Sequence, residues 1–119
     1  MIRNMIALAM IAVMFQSGCK RASLPVVTTN SPTSVTMTTA TCGGNVISDG
    51  GDAVSAKGVC WDTAAAPTTA KIVSVDGVGT GSFTSYLTKL HSGTKYHVRA
   101  YAKNSAGTAY GDEVTFETY

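Results

Sequence analysis

The chain has 119 residues, which is enough for one small domain and too few for two. Charged residues make up 13% of the sequence and the formal net charge is +2, a balance that argues against a nucleic-acid partner. β-Branched residues, serine and 12 glycines are abundant, without the Ala, Leu, Glu and Lys bias of a helical protein. This composition predicts β-sheet.

The first 18 residues have the pattern of a secretory signal. Arg3 precedes an apolar run that extends from residue 5 to residue 15. As a helix this run would be about 16 Å long, roughly half of the ~30 Å hydrocarbon core of a bilayer. We therefore predict a signal peptide over residues 1–18 rather than a transmembrane anchor.

The predicted leader ends at a cysteine. Ser17-Gly18-Cys19 resembles the lipobox of bacterial lipoproteins, in which the cysteine is acylated and becomes the N-terminus. The resemblance implies that Cys19 attaches the protein to a membrane and that residues 19–24 form a tether. The basic Lys20-Arg21 pair favours the outer membrane, and both its periplasmic and its surface face stay open. The alternative is an ordinary signal with an incidental cysteine, which would make this a secreted protein.

The rest of the chain reads as a series of short strands. Turn-forming residues recur about every ten positions, with strand-length segments between them. Tyr96 and Val98 fall on one face of such a segment, while His97, Arg99 and Tyr101 fall on the other. After the leader no segment carries the apolar repeat of a helix. The pattern predicts an antiparallel β-sandwich in which each sheet has one buried and one wet face.

The C-terminal third of the chain resembles a fibronectin type III domain. Leu90 and Tyr96 match the tyrosine corner of that family, in which the tyrosine hydroxyl bonds back to upstream backbone. Gly43-Gly44-Asn45-Val46, Lys57-Gly58-Val59-Cys60-Trp61 and the stretch from Arg99 to Gly111 are similar to the fibronectin-III-like repeats of bacterial envelope lipoproteins.

This resemblance covers about 25–118 and implies one domain over residues 25–119. The implied fold is all-β: a seven-stranded antiparallel β-sandwich with immunoglobulin-like, fibronectin type III topology. Its strands A, B, C, C′, E, F and G would lie at 25–30, 37–47, 55–62, 71–76, 81–88, 94–103 and 108–118. Such domains usually act as spacers, adhesion modules or appendages of surface proteins, so the resemblance implies a non-catalytic role.

Two cysteines remain if Cys19 is acylated. Cys42 and Cys60 are an even pair in an oxidising compartment, where disulfides persist. In the implied topology they lie in different sheets, so a bridge requires both sulfur atoms to point inward. Strand alternation then turns Trp61 outward, although the single tryptophan is a natural core residue. The disulfide and an inward Trp61 are exclusive alternatives unless a bulge intervenes, and the sequence leaves them open, with two free buried thiols as the third possibility.

The sequence contains no recognisable catalytic or metal-binding pattern. His91 falls in the E–F corner and His97 on the outward face of strand F, and neither has the spacing of a metal site or a triad. Both are expected on the solvated surface. We predict no catalysis, no cofactor and no metal.

Five polar residues fall in loops that the implied topology gathers at one end of the sandwich. They are Asp49 and Asp52 in the B–C loop, Asp76 in the C′–E loop, and Asn104 and Ser105 in the F–G loop. This end is the default surface for a protein or glycan ligand. Its oxygen atoms would suit Ca²⁺, but Asp and Asn are also typical of tight turns.

Two further surface features bear on function. Tyr86, Tyr101 and Tyr110 are expected to face outward, either as a stacking surface for sugars or as ordinary exposed aromatics. Asp62-Thr63-Ala64 resembles the acceptor of a bacterial O-glycosylation system, which makes Thr63 a candidate for glycosylation, with a plain Asx turn as the alternative.

The sequence therefore favours a lipid-anchored, non-catalytic binding or adhesion module of the cell envelope. One alternative is a structural spacer, or a truncated fragment of a larger surface protein. Another is a carbohydrate-binding accessory lipoprotein.

Overall fold

The structure, a computed structural model, describes residues 21–119, so Cys19 and the predicted signal peptide lie outside the described residues. This part of the chain contains eight strands and no helix. The strands are β1 (Val26–Thr29), β2 (Ala40–Ser48), β3 (Ala56–Asp62), β4 (Ile72–Val73), β5 (Gly81–Leu87), β6 (Lys95–Asn104), β7 (Gly107–Tyr110) and β8 (Val114–Glu117). Over residues 21–119 no helix could therefore cross a bilayer.

The strands form two antiparallel sheets. The first has the order β1-β2-β5, and the second has the order β4-β3-β6-β7, with β8 also paired to β6. Every pairing is antiparallel. The predicted all-β antiparallel sandwich is confirmed.

The predicted strand G is divided into β7 and β8, which is why the structure has eight strands rather than seven. Tyr110 pairs with Tyr101 and Val114 pairs with Val98, so three residues of the last segment face two residues of β6. This is a β-bulge. It arises where the Ala100 N–H donates to the Thr29 hydroxyl, 2.9 Å away, instead of to the neighbouring strand.

The core lies between the two sheets and is made by alternate residues of their strands. Leu87, Val59 and Val98 are completely buried, and the inward residues of β5 alternate with exposed ones. Gly44 sits where the two sheets approach each other, because an added Cβ would lie 2.8 Å from the Cβ of Ala100 in the opposite sheet. Within the described residues every buried side-chain nitrogen and oxygen has a hydrogen-bond partner.

Tyr96 and Leu90 close the corner between β5 and β6. The Tyr96 hydroxyl accepts the His91 N–H at 2.7 Å, and the tyrosine ring stacks on Phe116 with the centroids 5.5 Å apart. Leu90 is buried and its N–H donates to the Thr38 carbonyl at 2.9 Å. These contacts fix the turn from the first sheet to the second.

The structure decides between the two alternatives for the cysteines. Trp61 and Val59 point into the core, so Cys60 between them points to the opposite face of its sheet. Its thiol lies close to the Pro67 and Arg99 carbonyl oxygens. Cys42 lies in the core and is also a free thiol, so the structure contains the inward Trp61 and two free thiols rather than the Cys42–Cys60 disulfide.

We expect Cys42 and Cys60 to be unreactive towards a maleimide in the native protein and fully reactive after unfolding. Burial raises the pKa of both thiols, which disfavours the thiolate that reacts. Mass spectrometry of protein labelled with and without denaturant, in the absence of reductant, measures both states. A pair of cysteines that stays unlabelled in denaturant would show that they are oxidised.

Candidate functional site

Asn104 organises the end of the sandwich where the sequence analysis expected binding loops. It is 3% exposed, and its side-chain NH₂ donates to the Ser23 and Asp49 carbonyl oxygens, both at 2.8 Å. Its side-chain oxygen accepts the Ala106 N–H at 2.8 Å. Asn104 therefore fastens the N-terminal segment and two loops together, and its polar atoms are already bonded within the protein.

We call this end, with Ser23, the loop at 49–55 and the turn at 105–106, the tether end. The Ser23 N–H and hydroxyl both reach the Gly50 carbonyl, at 2.8 and 3.1 Å. Gly50 has a φ of 74°, and an added Cβ would meet the Ser23 carbonyl oxygen at 2.1 Å. A glycine is required here because the loop turns directly under the N-terminal segment.

The predicted acidic residues of this region are mostly occupied by turns. Asp49 accepts the Gly51 N–H at 2.9 Å, and Asp76 accepts the Ser74 hydroxyl at 2.7 Å. Asp52 and Ser105 do come together: a hydrogen bond from Ser105 is the main cause of a lowered pKa at Asp52, followed by the Ala53 N–H. Among residues 21–119 no three side chains of the types His, Cys, Asp and Glu lie close enough to hold a metal ion.

Of the three tyrosines expected to face outward, Tyr101 is buried and Tyr110 is half-buried. Tyr101 is 3% exposed and donates to the Ser74 carbonyl at 2.6 Å, and burial raises its pKa. The Arg99 guanidinium lies 3.9 Å from the centre of the Tyr110 ring. The expectation of a wet outer face was wrong at these positions because residues 63–76 fold back over it. Tyr86 is 73% exposed, as expected.

The segment that follows β3 is held down by side chains of β6 and of the bulge. Arg99 donates through Nε to the Pro67 carbonyl at 2.7 Å, and Glu113 accepts the Ala66 N–H at 2.9 Å. Glu113 also lies 2.6 Å from Nδ1 of His97. His97 is thus partly buried and paired with a carboxylate, which corrects its assignment to the solvated surface.

Acid is expected to weaken the contacts that the Glu113 carboxylate makes with Ala66 and His97. Hydrogen bonding from the Ala66 N–H, and then His97, lowers the pKa of Glu113 in the folded state. Because the pKa of this carboxyl is lower in the folded protein than in the unfolded chain, its ionised form stabilises the fold. This stabilisation is complete above the pKa of the unfolded chain and is lost as the pH falls through the pKa of the folded protein. We expect Glu113→Gln to be less stable than wild type near pH 7, and the two to converge as the pH falls below about 4.3, the ordinary pKa of a glutamate. Urea unfolding across this range measures the difference, and a constant gap would contradict the assignment.

A cavity of about 480 Å³ opens at the other end of the sandwich, between the end of β3 and the corner before β6. Its floor is apolar and comprises Trp61, Leu90 and Tyr96, each less than a tenth exposed. Its polar lining includes Asp62, Lys89 and His91. We call this region the cavity end. A few polar groups around an apolar floor are typical of binding sites for small ligands.

Sequence reasoning missed this cavity because its walls come from residues that are far apart in the chain. Leu90 and Tyr96 were identified as a structural corner, and the direction of Trp61 was left open. One local pattern did point to this site: the polar residues Asp62 and Thr63 directly follow the single tryptophan at the end of a predicted strand. Thr63 is exposed and lines the cavity, and its N–H donates to the Asp62 carboxylate at 2.7 Å, as in an Asx turn.

Lys89 has an unusual backbone at the edge of the cavity. Its φ is 59°, in the left-handed region that favours glycine. Ala66 has a similar φ of 57°, but it does not line the cavity. The ammonium group of Lys89 makes no ion pair within residues 21–119, whereas Asp62 lies 3.8 Å from the Lys71 ammonium.

No protein-family model matches this chain, and no curated protein matches it significantly. Solved structures resemble it in fold. The sensor domain of the anti-sigma factor RsgI4 from Pseudobacteroides cellulosolvens has a TM-score of 0.58 at 16% identity, over 82% of this chain and 97% of that one.

Two human domains show the same likeness. The sixth fibronectin type III domain of human fibronectin type III domain containing protein 3 has a TM-score of 0.57 at 20% identity, covering 83% of this chain and 90% of that one. A fibronectin type III domain from human KIAA0970 has a TM-score of 0.54 at 12% identity, covering 77% and 72%. The chain therefore has the fold of fibronectin type III domains, a β-sandwich fold that hosts many functions.

Proposed function

We propose that this protein is a non-catalytic, lipid-anchored binding or adhesion module of the outer-membrane envelope, and that it binds with its cavity end. The observation that carries the proposal is the hydrogen bonding of Ser23 to Asn104 at the tether end. Cys19 precedes Ser23 by four positions, at most about 14 Å of extended chain. A lipid on Cys19 would therefore hold the tether end close to the bilayer.

The same geometry favours the cavity end as the binding surface. Tyr96 lines the cavity and Asn104 holds the N-terminal segment, and both belong to β6. Eight positions along a strand correspond to about 26 Å. An anchor at Cys19 would direct the cavity away from the bilayer and leave the loops of the tether end facing it. This reverses the end that the sequence analysis favoured for a ligand.

The side chains of the described residues support a binding role rather than a catalytic one. The buried polar groups are hydrogen-bonded within the protein, and His97 is paired with Glu113. The cavity, in contrast, combines an apolar floor with polar groups at its opening, which suits a protein side chain or a glycan. The proposal applies to either face of the outer membrane.

The orientation can be tested on the full chain in membranes. Thr63→Cys marks the cavity end and Ser105→Cys marks the tether end, and both native side chains are exposed. Each variant is labelled with a thiol-reactive fluorophore and reconstituted in liposomes that contain lipids with a nitroxide in the headgroup. We expect stronger quenching of the label at position 105 than at position 63. Equal quenching, or stronger quenching at position 63, would contradict the proposed orientation.

A further inference from the structure

Lys89, in the lining of the cavity, combines a left-handed backbone with a charge that has no ion-pair partner within residues 21–119. A lysine in the left-handed region carries backbone strain that a glycine would not carry, and residues strained in this way cluster at functional sites. Lys89 lines the cavity, and within residues 21–119 it forms no ion pair. Its positive charge is therefore available to a ligand.

The charges around the cavity are unequal. Asp62 is the only carboxylate in the lining, and the Lys71 ammonium lies 3.8 Å from it. Lys89 and His91 line the cavity from the segment after β5, which forms a different wall from the end of β3 that carries Asp62. An anionic group of a ligand is thus favoured on that wall, and hydrogen-bond donors of the ligand are favoured near Asp62.

The remaining lining fits the body of a sugar. Thr63 and Thr88, which carry hydroxyl groups, line the cavity together with Trp61, which supplies apolar surface. Sugar rings present hydroxyl groups around their rim and C–H groups on their faces, so they need both kinds of contact. The volume of about 480 Å³ lies within the roughly 300–1,000 Å³ range of small-ligand sites.

We propose that the cavity binds an acidic saccharide, with the sugar carboxylate at Lys89 and the ring hydroxyls at Asp62, Thr63 and Thr88. This inference rests on the proposed binding role and names the ligand class for the cavity end. Its test reads ligand binding directly and does not depend on the lipid or on the orientation. Failure of the saccharide to bind is therefore distinguishable from failure of the anchor.

Trp61 provides the readout, because it is the single tryptophan and forms part of the floor of the cavity. The full chain in detergent is titrated with digalacturonate, with the neutral disaccharide cellobiose and with a triglutamate peptide, while tryptophan fluorescence is recorded. We expect a saturable change with digalacturonate that weakens as salt is added. A similar affinity for cellobiose, a preference for the peptide, or no response to digalacturonate at millimolar concentration would overturn the proposal.

Variants of Lys89 separate binding from folding. Lys89→Gly is expected to keep the Tm or raise it, by up to about 5 °C, because strain is relieved, and to weaken digalacturonate binding at least about tenfold. Lys89→Arg is expected to retain binding because the charge is kept. Ala66→Gly is the matched control, since it relieves a similar φ outside the cavity and should leave affinity unchanged. Unchanged affinity in Lys89→Gly would overturn the proposal.

Discussion

Replacing Trp61 with alanine is expected to lower the free energy of unfolding by about 3–5 kcal/mol. Trp61 is 8% exposed and packs in the main core cluster while its edge forms part of the cavity floor. The change removes a large apolar surface from the core and leaves a void that the β-sheets cannot fill. A domain of this size is stabilised by only about 5–15 kcal/mol, so the Tm should fall by more than about 10 °C.

Far-UV circular dichroism is the suitable measurement for this variant, because no tryptophan fluorescence remains. Tyr86→Ala is the control: its side chain is 73% exposed, and its loss should change stability by less than about 0.5 kcal/mol. An equal effect of the two substitutions would show that Trp61 does not pack in the core. It would then favour a Cys60 side chain that points into the core.

Replacing Asn104 with alanine is expected to cost about 2–4 kcal/mol and to release the N-terminal segment from the tether end. The change leaves the Ser23 and Asp49 carbonyls and the Ala106 N–H without their partner. Ser23 and Ala106 are exposed and water can reach these groups, so each lost hydrogen bond costs about 0.5–1.5 kcal/mol net. Urea unfolding measures the loss, and hydrogen exchange of the Ser23 N–H, which donates to Gly50, reports the release.

Two further variants assign this effect to the side-chain NH₂. Asn104→Asp keeps an acceptor for the Ala106 N–H but lacks both donors, so it should be at least as harmful as alanine. Ser105→Ala, next in the chain, removes only a solvent-exposed hydrogen bond to Asp52 and should have an effect below about 0.5 kcal/mol. If Asn104→Asp were as stable as wild type, the NH₂ group would not hold the N-terminal segment.

The fold was predictable from the sequence because its strands carry local patterns. Tyr96 and Val98 alternate with polar residues along β6, and the structure buries them as the alternation predicts. The division of strand G was not predictable, since it depends on a hydrogen bond between Ala100 and Thr29, which lie 71 positions apart. Local patterns specify strands, whereas such long-range contacts specify where a strand is interrupted.

The candidate site was less predictable because burial of polar residues depends on what lies above them. Asn104 looks like an exposed loop residue, but it is buried by Ser23, which lies 81 positions earlier. Tyr101 and His97 were expected in solvent, but residues 63–76 cover that face, and the composition of a turn-rich segment does not show which surface it will contact. The cavity is a further case, as no local pattern joins Trp61 to Leu90.

The attachment of a lipid to Cys19 is the claim on which the proposed orientation depends. The most direct test is the intact mass of the protein extracted from its native membrane under non-reducing conditions. We predict a chain that begins at Cys19 and carries the mass of a diacylglyceryl group and an acyl chain, with any further mass pointing to a glycan on Thr63 or to a bound ligand. A chain that begins elsewhere and carries no lipid would contradict the account and identify a secreted β-sandwich.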